Sequence, residues 1–211
     1  MSNNTRGLIG PLNISALSSD GAGIARTEHG VVFINGALPG EVVTAETVSR
    51  HKDFSVARVV EIEKASDGRV EPRCPHYDKC GGCQLQHASY GTQLKLKAGL
   101  VRDAMTRIGG FEPSLFANLK CEASPDEWGY RNKASFPVQS LDFKGKGKRI
   151  AAVFYRTGTH RLELIRRCPV NAAPLNALYE TLLSGLSDLP FDGYDERTQV
   201  ARARSAHPAL R

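Results

Sequence analysis

Cys74-Pro75-His76-Tyr77-Asp78-Lys79-Cys80-Gly81-Gly82-Cys83 packs three thiols into ten residues, with the spacing C-x5-C-x2-C. A C-x2-C pair lets two thiolates converge on one ion, and Gly81-Gly82 between them permits the tight backbone path such a loop needs. No apolar run approaches the ~20 residues required to span a bilayer. Met1-Ser2-Asn3-Asn4-Thr5-Arg6 opens no apolar stretch of the signal-peptide kind. Both features point to the cytoplasm, where thiols stay reduced and a cysteine cluster reads as a metal site rather than a disulfide framework. The fourth ligand must come from elsewhere. Cys168-Pro169 repeats the Cys-Pro context of Cys74-Pro75, a recurring setting for cluster ligands. Four thiolates suit tetrahedral zinc and an iron–sulfur cluster equally. A Cys3His zinc site using His76 or His87 also fits the spacing, and a cysteine group with no metal is the third possibility. Cys121 is left over and reads as a buried or idle thiol.

The hydrophobic period changes across this stretch. Upstream the chain reads as β. Leu12 to Leu17 alternates, Ser18 to Gly23 is turn-rich, and Val31-Val32-Phe33-Ile34 is a second strand. Leu38-Pro39-Gly40 turns the chain into Glu41 to Val48, and Phe54 to Glu63 follows. Short strands at this spacing, with Gly/Pro turns, predict a small barrel. Ala65 to Arg73 is polar and predicts a linker. Downstream, Tyr90, Leu94, Ala98, Val101, Met105 and Ile108 step by four and three. That spacing predicts an amphipathic helix whose stripe is core packing, with Ser89 as N-cap and Gly109-Gly110 as its stop. Tyr130 to Val138 alternates as a strand, and Lys144 to Lys148 is a turn. Ile150 to Tyr155 and His160 to Ile165 are two further strands. Leu175, Leu178, Tyr179, Leu182 and Leu186 mark a second helix.

Charge is concentrated in the same downstream region. Between Trp128 and Pro169 ten Lys/Arg face only Asp142 and Glu163, a surplus of +8. The remaining 18 basic and 20 acidic residues leave −2. A surplus confined to one segment points to a polyanion-facing surface, with a solvated lysine-rich hairpin as the plainer alternative.

Three motifs in order now carry a resemblance. Cys74-Pro-His-Tyr, Cys80-Gly-Gly-Cys83-Gln84-Leu85-Gln86-His87, Tyr90 and Gln93-Leu94-Lys95 resemble the cluster segment of bacterial 23S rRNA uracil-5-methyltransferases. Tyr130-Arg131-Asn132-Lys133-Ala134 is similar to that family's next signature, and Arg167-Cys168-Pro169-Val170 to the segment supplying its fourth cluster ligand. Gly36-Ala37-Leu38-Pro39-Gly40-Glu41 is similar to the TRAM domain, an OB-like RNA-binding barrel. The resemblance runs from about Leu12 to about Gln199. It implies a 4Fe–4S cluster on Cys74, Cys80, Cys83 and Cys168, and 23S rRNA as partner. No membrane association is expected, and no protein partner is evident in the sequence. RNA contacts are expected from Arg131, Asn132 and Lys133, with Lys144, Lys146, Lys148 and Arg149 binding phosphate and Phe136 belonging to the core. In that family a cysteine thiolate adds to C6 of uracil, C5 takes a methyl from S-adenosylmethionine, and a base then removes the C5 proton. The target base must be unstacked to be reached.

The implied architecture is mostly β with α. Residues 1–70 form the TRAM barrel and residues 71–90 the iron–sulfur loop. Residues 91–199 form a central α+β RNA-binding domain closed onto the cluster by Cys168, and residues 200–211 an atypical, disordered tail. The sequence departs from the family in one respect. Its C-terminal Rossmann-like methyltransferase domain, with the S-adenosylmethionine site and the nucleophilic cysteine, is not legible here. Gly21-Ala22-Gly23 lacks the third glycine and the helix of a dinucleotide fingerprint, and Cys121 lies outside the family's catalytic context. The expectation is a truncated or frameshifted methyltransferase half, without catalytic residues and inactive alone. A stand-alone RNA-binding module and a zinc-stabilised structural protein are the competing functions.

Overall fold

A computed structural model describes residues 7–143, 147–159, 161–187 and 189. The chain divides into two compact units: residues 1–73 with 83–124, and residues 74–82 with 125–211.

The first unit is built on β1 (Leu8–Asn13), β2 (Ala16–Leu17), β3 (Gly23–Thr27), β4 (Gly30–Asn35), β5 (Val42–Arg50) and β6 (Phe54–Lys64). They form one sheet in the order β1-β5-β6-β4-β3-β2. Only Ile14 and Ser15 separate β1 from β2, yet those strands sit at opposite ends of that order. The three residue steps from Asn13 to Ala16 span at most about 11 Å, so the sheet must curl until its edges approach. The link itself bonds both sides: Ile14 N–H donates to Glu41 O at 2.9 Å and Ser15 N–H to Ile24 O at 2.9 Å. Alternation along β5 points Val43, Ala45 and Thr47 inward. Val43 and Ala45 join Ile34, Ala57, Ala25 and Val32 in an apolar interior. Each fully buried Val or Ile there contributes about 1.5–3 kcal/mol. The strand β3 was not foreseen in the sequence, because Gly23 and Ala25 supply small inward residues where the pattern needs large ones.

Residues 65–73 do not behave as a loose linker. Val70 N–H donates to His87 O at 3.0 Å and Ser89 N–H to Gly68 O at 2.8 Å, and Arg69 bridges Ala88. Helix α1 (Tyr90–Asp103) starts at the expected Ser89 N-cap, although the Ser89 hydroxyl reaches Thr92 Oγ1 at 2.9 Å rather than a backbone N–H. The helix widens into a π-turn over Ala104–Ile108 and stops at Gly109. The expected core stripe is only partly buried: Tyr90, Leu94 and Met105 are half-buried. Ala98 is buried, but Val101 is 51% and Ile108 88% exposed. The π-turn adds about a residue per turn, which shifts Ile108 off the earlier stripe.

The second unit carries β7 (Val138–Phe143), β8 (Gly147–Ala152), β9 (Phe154–Tyr155), β10 (Leu162–Glu163) and α2 (Ala173–Ser187). β7 and β8 pair antiparallel from Val138↔Ala152 to Phe143↔Gly147. β9 and β10 pair through Leu162↔Tyr155. Tyr130–Val138 is not a strand: among these residues only Arg131 forms a bridge, with Asn171, and β7 begins at Val138. The backbone of this segment is spent on the Cys168 turn instead. Gly129 N–H donates to Pro169 O, Arg131 N–H to Val170 O, and Ala172 N–H to Arg131 O. Phe136 stacks on Tyr179 at 4.3 Å and meets Phe154 edge-on at 5.1 Å, so it is core, as its apolar neighbours imply. Tyr179 is 1% exposed and its hydroxyl donates to Ala152 O at 2.8 Å.

Candidate metal centre and nucleic-acid interface

The Cys74–Gly82 loop is a pair of tight turns laid on β9. Tyr77 N–H donates to Cys74 O at 3.1 Å, and Cys80 N–H to His76 O at 2.7 Å. Gly81 N–H then reaches Tyr155 O at 3.0 Å and Thr157 N–H reaches Lys79 O at 3.0 Å. Cys80 forms a bridge with Arg156. Glu163 on β10 holds the outside of this arrangement. Its Oε2 accepts from Arg156 Nε at 2.9 Å, and its Oε1 lies 3.5 Å from His76 Nδ1. Glu163 is one of the two acidic residues of the basic segment, and the sequence offered no sign that it was committed.

Cys168 is held by Asn176 of α2. Asn176 Oδ1 accepts from Cys168 N–H at 3.1 Å, and its Nδ2 donates to Cys168 O at 3.0 Å and to Asn171 O at 3.2 Å. Burial, and secondarily the Cys168 thiolate charge, push the Tyr179 phenol up to about 12. Asn171, three residues after Cys168, is 3% exposed, and neither polar atom of its amide has a partner.

None of the five cysteines is joined in a disulfide. Cys74, Cys80 and Cys168 belong to the second unit and Cys83 to the first. Among the described residues no group of three or more His, Cys, Asp or Glu side chains is gathered for a metal ion. The four expected thiols are thus not drawn up as a finished cage. Their chemistry does suit one. Cys80 Sγ accepts from Gly82 N–H at 3.4 Å, a bond that favours a thiolate, and the orphaned Asn171 amide lies in the turn that carries Cys168. His87, the other candidate zinc ligand besides His76, is 2% exposed in the first unit. Burial, together with the Arg69 charge, pushes its imidazole down to about 4, against the Glu41 charge and a hydrogen bond with the Ala37 backbone. The remaining cysteine, Cys121, is half-buried and turns its thiol to Glu122 O.

Of the expected RNA contacts, Asn132 and Lys133 are exposed. Arg131 is half-buried, and its guanidinium reaches Gly82 O at 3.5 Å, so it also braces the cysteine loop. Lys148 and Arg149 lie on the β8 backbone. Lys144 and Lys146 lie outside the described residues, as does the tail 200–211. No helix among the described residues is long and apolar enough to cross a membrane.

Residues 5–60 match the TRAM domain family. The chain is 38% identical over 193 residues to the 23S rRNA (uracil(1939)-C(5))-methyltransferase RlmD of Shewanella halifaxensis, covering 90% of this chain and 42% of that protein. It is 37% identical over 190 residues to an RNA methyltransferase of Thermosynechococcus vestitus described as uncharacterized, covering 89% and 40%. The crystal structure of Pyrococcus abyssi tRNA (uracil-54, C5)-methyltransferase with S-adenosyl-L-homocysteine shares the fold, with a TM-score of 0.53 at 22% identity over 94% of this chain and 41% of that one. The chain spans about two-fifths of the length of the relatives it matches.

Proposed function

We propose that this chain supplies the RNA-binding part of an S-adenosylmethionine-dependent RNA uracil-5-methyltransferase, acting on 23S rRNA in the cytoplasm. The observation that carries the reading is the similarity to RNA methyltransferases along 88–98% of the chain, TRAM region included. The chain's own residues bind and orient RNA. Asn132, Lys133 and the basic β7–β8 hairpin contact phosphate, and Arg131 joins that surface to the cysteine loop. None of its residues is assigned to methyl transfer. Its division into a TRAM barrel, a cysteine loop and a central α+β domain is part of the same proposal.

Cys74, Cys80, Cys83 and Cys168 would hold a 4Fe–4S cluster, which when bound supplies a covalent cross-link between segments about 85 residues apart in sequence. Cysteines not joined in disulfides, the Gly82 bond to Cys80 Sγ and the orphaned Asn171 amide support this ligand set. Anaerobic purification followed by visible spectroscopy and metal analysis tests it. The expected result is broad visible absorption with roughly four iron atoms per chain. Stoichiometric zinc with no iron would overturn the cluster assignment. For the RNA reading, affinity for an rRNA fragment should fall steeply with salt as phosphate contacts are screened. Absence of binding at low salt would remove it.

A further inference from the structure

We infer that the outward face of the first unit's sheet carries a stacking platform for an unstacked RNA base, built on Phe54, Phe33 and His51. The inference rests on the RNA-binding reading above and assigns it a second point of contact, in the barrel rather than in the basic segment.

Sheet register places the rings. Val32 and Ile34 of β4 point into the core, so Val31 and Phe33 point out. Val31 pairs with Phe54 across the parallel β4–β6 ladder, and Phe33 with Val56. Phe33 and Phe54 therefore share the outer face, and their rings meet edge-on with centroids 5.6 Å apart. The turn into β6 is closed by His51 N–H donating to Phe54 O at 2.8 Å. That bond holds the imidazole over the Phe54 ring, with centroids 4.4 Å apart and planes 17° apart. His51 is exposed and Phe54 is 37% exposed. Two flat rings are already stacked, and the imidazole is exposed.

Single exposed aromatic residues are ordinary on a protein surface. Here three rings form a set, and cations frame it. Arg26 pairs with Val31 and so stands on the same outer face. Arg50 and Lys52 flank His51, and all three cations are exposed. Asp53 and Glu28 are the nearby acids, and Glu28 lies beside His29. Flat apolar faces interleaved with cations are the chemistry of single-stranded nucleic acid: every base has a π-face to stack, and its phosphates need a counter-charge. A base laid on the outer face of His51 would extend the Phe54–His51 stack by one ring, with Arg50 and Lys52 within reach of the flanking phosphates.

The test uses the full chain and a labelled twelve-nucleotide oligouridylate, read by fluorescence anisotropy across a salt series. His51→Ala and Phe54→Leu should each weaken binding about 5- to 150-fold, since stacking is worth that much per base. The salt slope should stay that of the unaltered chain, because no phosphate-binding cation is removed. Lys133→Ala should instead flatten the slope. Phe54→Leu keeps an apolar side chain at the start of β6. If it nonetheless melts early, His51→Ala decides, because His51 lies outside the strand. Unaltered affinity for His51→Ala in a chain that binds the oligonucleotide overturns the platform and leaves the RNA-binding proposal standing. A chain that binds no oligonucleotide at low salt overturns both.

Discussion

Glu41 has 1% of its surface exposed, and everything around it answers its charge. Leu38 N–H donates to Oε2 at 2.8 Å and Ser66 N–H to Oε1 at 3.3 Å, while Arg69 closes on both oxygens and on Gly36 O. Burial alone would raise this carboxyl, but the Arg69 guanidinium and the two backbone donors outweigh it and hold the pKa below the ordinary carboxylate value. Arg69→Ala strands a buried charge and should cost about 3–5 kcal/mol, read as a fall in urea midpoint. Replacing Glu41 and Arg69 together by apolar residues of similar volume should cost less than that single change. His87 adds a pH dependence of known sign. Its folded pKa, about 4, lies below the ordinary value of 6.5. The unfolded chain therefore takes up the proton first, and stability declines as pH falls from 6.5 towards 4. The loss is on the order of 3 kcal/mol when complete. Loss of the Glu41 charge at still lower pH acts in the same direction. Unfolding curves between pH 7 and 4 should show this decline, and His87→Asn should flatten it over the upper part of the range.

At the level of elements, the two segments that carry cysteines in the second unit are each held by one side chain. Glu163 ties His76 and Arg156 beside the Cys74–Gly82 loop, and Asn176 straps both backbone groups of Cys168. Asn176→Ala leaves the Cys168 N–H without its partner, at about 1–3 kcal/mol if that group stays buried, while Cys168 O keeps the Asn171 N–H. It should also lower iron retained per chain relative to the unaltered protein in the same anaerobic preparation. Glu163→Gln, which keeps the shape but removes the charge, should have the smaller effect on iron. Most of these elements could be read from the sequence. β4, β5 and β6 follow from apolar period and turn residues, because in each the side chains choose the buried face; both helices were placed the same way, whereas the run from Leu12 to Leu17 proves to be the end of β1, a link and β2. The reading failed where backbone partners decide. Tyr130–Val138 alternates well, but Arg131 pairs with Asn171 before any neighbouring strand can claim it. Polar Ala65–Arg73 looked like a spacer because nothing in its composition reveals that Arg69 answers Glu41, 28 residues earlier. The cysteine positions were legible from spacing, whereas Asn176 and Glu163 were not, since a strap is defined by what it reaches.

For the molecule as a whole, the basic surplus sets how affinity responds to ions. In the proposed RNA complex, replacing Lys133, Lys148 or Arg149 with alanine takes one cation away from the phosphates. Each such change should reduce the slope of log affinity against log salt by about 0.7 on single strands. Charge changes outside the Trp128–Pro169 segment and away from the aromatic face should leave that slope alone. The chain's path between its two units has a different consequence, one that belongs to synthesis. The first unit is assembled from residues 1–73 and 83–124, with the cysteine loop 74–82 given to the other unit between them. A growing chain that has just released β6 holds a curled sheet whose buried carboxylate still lacks Arg69. The sheet likewise lacks His87 against Ala37. Arg69 follows within about a second at roughly 5–20 residues per second, but the stretch through Ser124 needs on the order of 3–12 s. The sheet must persist over that interval without the rest of its unit, while three of the four expected ligand cysteines emerge before Cys168 exists. A nascent chain arrested near Arg73 should accordingly be more protease-sensitive in its strands than one arrested beyond Ser124.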